Sequence, residues 1–229
     1  MQCFIRYLRW FTVGLLGLTG CENNPNSASN SKNSALSISE QTVFKTQTQV
    51  NTFLTLYAPA DTFPINISTK VGEWEGPESV NFKWWGKIIP SSFWRVFYSR
   101  VPFKPLATDP PFYATKRFRV NDSTVALLTR VPGAYWSSQV YLFLFDTRVN
   151  TITTSLRVAE AWADTGDSFY LESRIEKLQN YKFRIVLNQG ECHPLDENYE
   201  QFACTDSVKT YVLTDQKFSL VSAAPVYKK

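Results

Sequence analysis

The chain has very few of the residues on which common catalytic and metal sites are built. Its 229 residues include one histidine, His193, so a metal site with two histidines is excluded. No Gly-x-Ser-x-Gly motif marks a nucleophilic serine, and no glycine-rich phosphate loop is present. A Ser-His-Asp site would have to use His193, which stands between Cys192 and Pro194 in an expected loop. The sequence therefore favours a protein without enzymatic activity, and we expect no cofactor and no metal.

The chain also lacks a strong charge of one sign and a long apolar run. It has 24 basic and 20 acidic residues, for a formal net charge of +4. A nucleic-acid-binding domain would carry a larger basic excess, so we expect no nucleic-acid partner. Charges or turn residues interrupt every apolar run far below the roughly 20 residues that a membrane-spanning helix requires.

The first residues predict an export signal. Two arginines and no acid precede a short apolar segment at 10–18, which small residues follow, as is typical of a signal peptide. The string Leu18-Thr19-Gly20-Cys21 resembles the lipobox of bacterial lipoproteins. The resemblance implies that residues 1–20 are a lipoprotein signal peptide and that Cys21 carries a lipid that anchors the protein to a membrane of the bacterial cell envelope. Glu22, rather than an aspartate, follows the cysteine and favours the outer membrane.

An ordinary secretory signal with a cysteine nearby is the alternative interpretation. Residues 21–41 are rich in asparagine and serine and predict a linker, because they bury too little apolar surface to offset the entropy of ordering. Residues 42–229 are then the folded β domain. Four prolines at 102–111 mark a candidate boundary within it.

Cys192 and Cys204 are the pair that remains after Cys3 and Cys21 are assigned to the signal and the anchor. In an exported protein such a pair predicts a disulfide. Closing a loop of about 13 residues stabilises a fold by about 3 kcal/mol in the chain-entropy model. A metal site is the alternative, although no second cysteine lies at the two-to-four-residue spacing of a zinc motif.

Alternating apolar and polar residues over 112–229 predict eight consecutive strands with short turns. The segment 139–145 is apolar on both faces, which predicts a central strand. Further strands are predicted upstream, and no segment after the signal shows a convincing helical period. We expect an all-β fold, either an antiparallel β-sandwich or blade-like meander sheets. The predicted strands are 50–56, 63–67, 80–89, 93–101, 117–121, 124–131, 139–145, 152–158, 169–176, 181–187, 209–213 and 218–222.

Two groups of residues are candidates for binding. The first is the acidic loop of the predicted disulfide, which would suit a protein partner or a calcium ion and is otherwise a solvated loop. It comprises Glu191, Asp196, Glu197, Tyr199, Glu200 and Asp206. The second group is Trp84, Trp85 and Trp94, whose rings can stack on sugars or pack in the core.

Three functions follow from these observations. The leading hypothesis is an anchored, non-catalytic module that binds an envelope protein or supports a surface assembly. A carbohydrate-binding module is the alternative, because of the tryptophans. A hydrolase that acts on glycans is the third, because its two carboxylates need not be close in sequence.

Overall fold

The structure, a computed structural model, describes residues 43–69, 86–102, 112–131, 139–164, 166–179 and 181–226. All of them belong to one compact unit, Glu40–Lys229. The predicted signal peptide, Cys21, the predicted linker up to residue 41, Trp84 and Trp85 lie outside the described residues, as does most of the candidate boundary at 102–111. Their roles stay predictions.

The described chain is mostly strand, which confirms the all-β prediction. One α-helix, α1 (Gln47–Thr55), and one 3-10 helix (Ser91–Val96) precede the main run of strands. The strands, numbered along the chain, are β1 (Ala58–Pro59), β2 (Ile65–Ile67), β3 (Lys87–Ile88), β4 (Tyr113–Arg119), β5 (Thr124–Val131), β6 (Gln139–Asp146), β7 (Thr151–Asp164), β8 (Asp167–Lys177), β9 (Phe183–Pro194), β10 (Phe202–Thr214) and β11 (Lys217–Val226).

The eight predicted consecutive strands are β4 to β11, and each pairs antiparallel with the next. β1 adds one short parallel pairing with β4, while β2 pairs with β8 and β3 with β4. β6 is buried at all eight positions, as its two apolar faces predict. These strands form one mixed sheet with 11 members.

The sheet curls at the long strand β7, so that its two halves face each other. Side chains of β4–β6 and of β8–β10 meet in one buried cluster, the sandwich core. The opposite face of β5 and β6 packs against α1 and the 3-10 helix in a second cluster, the helix-side core. Phe53 of α1, Phe97 and Phe143 of β6 are fully buried there, with ring centroids 5.0 Å apart for the last two. The described domain therefore has a helical layer on a curled sheet.

The strand predicted at 50–56 is wrong, because these residues form most of α1. Thr46 caps the helix by accepting a hydrogen bond from the Gln49 backbone N–H at 3.2 Å. Val50, Phe53 and Tyr57 are buried on one side, a spacing that follows the helical period. The strand predicted at 93–101 is also wrong, since its first residues belong to the 3-10 helix. In both segments packing against β5 and β6 outweighs β propensity.

Candidate functional site

The predicted disulfide is present and clamps the β9–β10 hairpin. Cys192 and Cys204 are cross-strand partners, with Cα atoms 4.1 Å apart and sulfur atoms bonded. The sequence predicted a 13-residue loop here, but β9 continues to Pro194 and β10 begins at Phe202. Only residues 195–201 form the turn. The clamp therefore sits at the end of a regular ladder and holds a short tip.

The six candidate residues of the acidic loop do not form one cluster. The Asp196 carboxylate accepts backbone N–H bonds from Asn198, Glu200 and Gln201 at 3.0, 3.1 and 2.9 Å, so it shapes the turn. By strand alternation Glu191 lies on the face of the sheet that continues the sandwich core, and Asp206 lies on the opposite face. Glu197 and Glu200 are exposed at the turn. The predicted calcium site is thus divided among different surfaces.

A second acidic turn lies beside the first. β8 pairs with β9 so that Ser168 is opposite Cys192, which places the β7–β8 turn next to the β9–β10 turn. We call the two turns and the strand ends that flank them the acidic tip, residues 158–173 and 191–206, because neither segment contains a lysine or an arginine. Its acids are Glu160, Asp164, Asp167, Glu172, Glu191, Asp196, Glu197, Glu200 and Asp206. Arg157, just outside the first segment, forms an ion pair with Glu160.

His193 bridges two acids within the tip. Its Nδ1 lies 2.8 Å from Asp167 Oδ1, and its Nε2 lies 3.3 Å from Glu191 Oε1. The hydrogen bond with Asp167 and the negative charge of both neighbours raise the pKa of His193 above its ordinary value of 6.5. The ring is 54 % exposed, and its contact with Asp167 joins β8 to β9 at the surface.

The tip also exposes three large apolar side chains. Leu195 is 65 % exposed, Tyr199 47 % and Phe202 45 %. Tyr199 has a φ of +59°, a left-handed conformation that costs a non-glycine residue about 1–2 kcal/mol. Its ring covers Gly166, where an added Cβ would lie 2.4 Å from the ring. The contact joins the two turns and fixes the direction of the tyrosine.

On the other face of the tip, a glycine makes room for an aromatic ring. Gly190 lies between Tyr170 and Asp206 in neighbouring strands. The Tyr170 ring crosses the glycine, and its hydroxyl donates to Asp206 Oδ1 at 2.9 Å. This row ties β8, β9 and β10 together beyond the sandwich core and stiffens the tip.

Trp94, the one stacking candidate within the described residues, is a core residue. It is 9 % exposed, packs on Phe112 with ring centroids 5.5 Å apart, and donates its indole N–H to the Ile89 carbonyl at 2.8 Å. Its ring is therefore not accessible to a sugar. Trp162 is half-buried on the tip and stacks on Phe169 at 5.9 Å.

A cavity of about 640 Å³ lies at the opposite end of β8 and β9. Three rings that belong to or pack on the sandwich core, Phe63, Phe118 and Phe183, line it, with centroids 4.8–5.4 Å apart. Tyr181 lines it as well and is the second tyrosine with a left-handed backbone, at a φ of +63°. The whole lining is Pro59, Ala60, Asp61, Phe63, Arg117, Phe118, Arg119, Asp122, Val125, Thr147, Lys177, Tyr181 and Phe183.

The sequence did not reveal this cavity, because its walls come from four separate parts of the chain. The β8–β9 turn at Gln179 was predicted, but Tyr181 was expected to begin the next strand, at 181–187, and it belongs to the turn instead, because β9 begins at Phe183.

Within the part of the chain that the structure describes, no group of three histidine, cysteine or acidic side chains is arranged to hold a metal ion. In the same residues, no helix is long and apolar enough to cross a bilayer. No protein family, curated protein or solved structure matches the chain.

Proposed function

We propose that the chain is a lipid-anchored, non-catalytic module of the bacterial cell envelope that binds a partner protein through the acidic tip. The observation that carries the proposal is the exposure of Leu195, Tyr199 and Phe202 on a tip clamped by a disulfide. Binding hot spots are enriched in tyrosine, and a restrained hairpin loses little conformational entropy when its side chains are buried by a partner.

The charge of the tip defines the partner surface that fits it. Glu197 and Glu200 are exposed beside the apolar residues, and neither turn carries a lysine or an arginine. A complementary surface has an apolar depression with basic residues around it, since opposite charges speed association and select the orientation. The partner is therefore a protein with such a basic, apolar-centred surface.

The anchor supports this role by keeping the tip at a membrane surface. Lipid on Cys21 would hold the protein there, and the roughly 20 residues of the predicted linker would span about 25 Å if they form a coil. Changing Cys21 to serine should release the protein into the soluble fraction and abolish labelling by fatty-acid analogues. Labelling of the serine variant would contradict the anchor without bearing on the tip.

Site-specific crosslinking tests the tip. A photoreactive phenylalanine analogue replaces Leu195 in one variant and Leu178 in the control, where a leucine is 41 % exposed at the other end of β8. In native membranes we expect the first variant to capture a partner and the control to capture none. Equal capture by both variants would refute a binding role specific to the tip.

Binding of the captured partner, once purified, tests the chemistry. Tyr199→Ser should weaken the affinity at least tenfold, as expected for a central aromatic contact. The charge-neutral pair Glu197→Gln and Glu200→Gln should mainly slow association at low salt. A partner whose affinity is insensitive to all three changes binds elsewhere on the domain.

A further inference from the structure

The cavity at the other end of β8 and β9 is a second candidate site, independent of the acidic tip. β8 has 11 residues, so the two sites are separated by roughly 35 Å at about 3.3 Å per residue. The volume of about 640 Å³ falls within the roughly 300–1,000 Å³ of small-molecule pockets. Phe118 and Phe183 are buried beneath the cavity, at 6 % and 1 % exposure, so they form a fixed floor and offer almost no surface to a ligand. Tyr181 is the exposed ring of the lining.

Tyr181 has a backbone conformation and an exposure that are unusual for a bulky residue in a tight turn. Lys182 N–H donates to the Gln179 carbonyl at 2.8 Å, which closes a tight turn with Tyr181 at its third position. The positive φ there favours glycine or asparagine, and a bulky residue in this conformation is a rare outlier. The side chain is 47 % exposed and lines the cavity, so its strain is not offset by burial in the core. Strained residues of this kind concentrate at binding sites.

The charged residues of the lining define the ligand chemistry. Lys177, Arg117 and Arg119 contribute three cations, and Asp61 and Asp122 contribute two carboxylates. The Arg119 guanidinium lies 3.5 Å from Asp122 and donates to the carbonyl of Asn121 at 3.1 Å, so it is held at the rim. Carboxylates accept hydrogen bonds from hydroxyl groups, lysine and arginine bind an anion, and aromatic rings contact the apolar face of a sugar.

We propose that this cavity binds a short acidic saccharide, a sugar chain that carries carboxylate groups. The exposed Tyr181 ring contacts a sugar ring, the two aspartates accept hydrogen bonds from the hydroxyl groups of the saccharide, and the cations bind its carboxylate. The site requires neither the partner-binding role of the tip nor the tryptophans that the sequence offered as sugar contacts.

Titration calorimetry on the soluble domain, residues 22–229 with the disulfide intact, tests the proposal. The probes are tetrasaccharides of galacturonate, of mannuronate and of hyaluronan, with cellotetraose as the neutral sugar and benzoate as an anion without hydroxyl groups. We expect at least one acidic tetrasaccharide to bind with a Kd below about 1 mM. Cellotetraose and benzoate should bind at least tenfold more weakly, because each lacks part of the recognised chemistry.

Variants locate the binding. Tyr181→Asn should weaken binding of the acidic saccharide at least tenfold. The melting temperature of this variant should equal or exceed that of the wild type, because asparagine tolerates a positive φ. Tyr199→Asn makes the same change at the acidic tip and should leave saccharide binding unaltered. Lys177→Met should weaken binding about fivefold or more, as expected for one ion pair to a partly exposed anion. Lys182→Met, in the same turn but outside the lining, should leave the affinity within about twofold.

Several outcomes would overturn the proposal. They are the absence of binding for all three acidic tetrasaccharides, equal affinity for cellotetraose, tighter binding of benzoate, or an unchanged affinity in Tyr181→Asn with the fold intact. None of them affects the acidic tip, because crosslinking at Leu195 and binding of the captured partner are measured without sugar.

Discussion

Removing the disulfide should destabilise the domain by a predictable amount. In the double variant Cys192→Ser, Cys204→Ser, the chain loses a covalent loop of 13 residues, with 12 steps between the two cysteines. The loop-closure relation gives an entropy change of about 10 cal/mol/K for a loop of this size, or about 3 kcal/mol at 25 °C. For a domain of this length each kcal/mol lowers the melting temperature by about 2–4 °C, so we expect a decrease of about 6–12 °C.

The register of β9 and β10 determines which residues of the native state become less restrained when the disulfide is removed. The two strands pair from Phe183 with Leu213 out to Pro194 with Phe202, so the ladder survives without the sulfur bond. Hydrogen exchange should therefore accelerate at 195–201 and remain slow near Ile185, which is fully buried. Urea denaturation measures the free energy of unfolding. Hydrogen exchange followed residue by residue measures the local effect at 195–201.

Reduced wild-type protein is the matched control for the double variant, because it loses the bond and keeps both sulfur atoms. The two should agree in their free energy of unfolding within about 0.5 kcal/mol. A double variant that unfolds with wild-type free energy and wild-type exchange at 195–201 would refute the view that the bond restrains this hairpin.

Three further predictions concern single residues. The NMR signal of His193, the only histidine, should titrate with a pKa above 6.5, and the pKa should return toward that value in Asp167→Asn. Because the pKa is raised in the folded state, any stabilisation is present below pH 6.5 and is lost as pH rises through the folded pKa. Gly190→Ala should lower the free energy of unfolding by about 2 kcal/mol, because the new Cβ would lie 2.2 Å from the ring of Tyr170, and a double-mutant cycle with Tyr170→Ala should recover most of the loss. Asp146 has a pKa far below its ordinary 3.8, first because the Arg148 side chain donates hydrogen bonds to its carboxylate and also because Gln216 donates one. Its stabilisation is therefore present above about pH 4 and is lost as pH falls toward the folded pKa. Asp146→Asn should make this acid-induced loss less steep in a series of chemical denaturations, and a loss of unchanged steepness would assign it to other carboxyl groups.

The sequence was sufficient to predict the meander and the disulfide, because both depend on local patterns. Period-two alternation in β8 and β9 follows directly from one buried and one exposed face. The helix at 47–55 was missed because Val50, Thr52 and Leu54 also alternate, and only the contact with β6 decides between the two periods.

The sites were harder to predict than the fold, since they depend on which turns become neighbours. The pairing of Asp167 with His193 requires the β8–β9 register, and the contact of Tyr199 with Gly166 requires two turns to meet. The left-handed backbone of Tyr181 is a property of the folded turn and has no signature in composition.

The separation of charge along β8 and β9 has a consequence for how the domain behaves near a surface. The acidic tip holds nine acids, whereas every lysine and arginine that the structure describes lies outside it. This separation of charge gives the described residues an electric dipole moment with its negative pole at the tip. Close to anionic lipid headgroups, the resulting torque turns the tip away from the lipids and draws the positive pole toward them. The electric field of the lipid surface would then set the orientation of the domain. Dissolved salt screens this field, so the effect would be confined to about 10 Å from the surface.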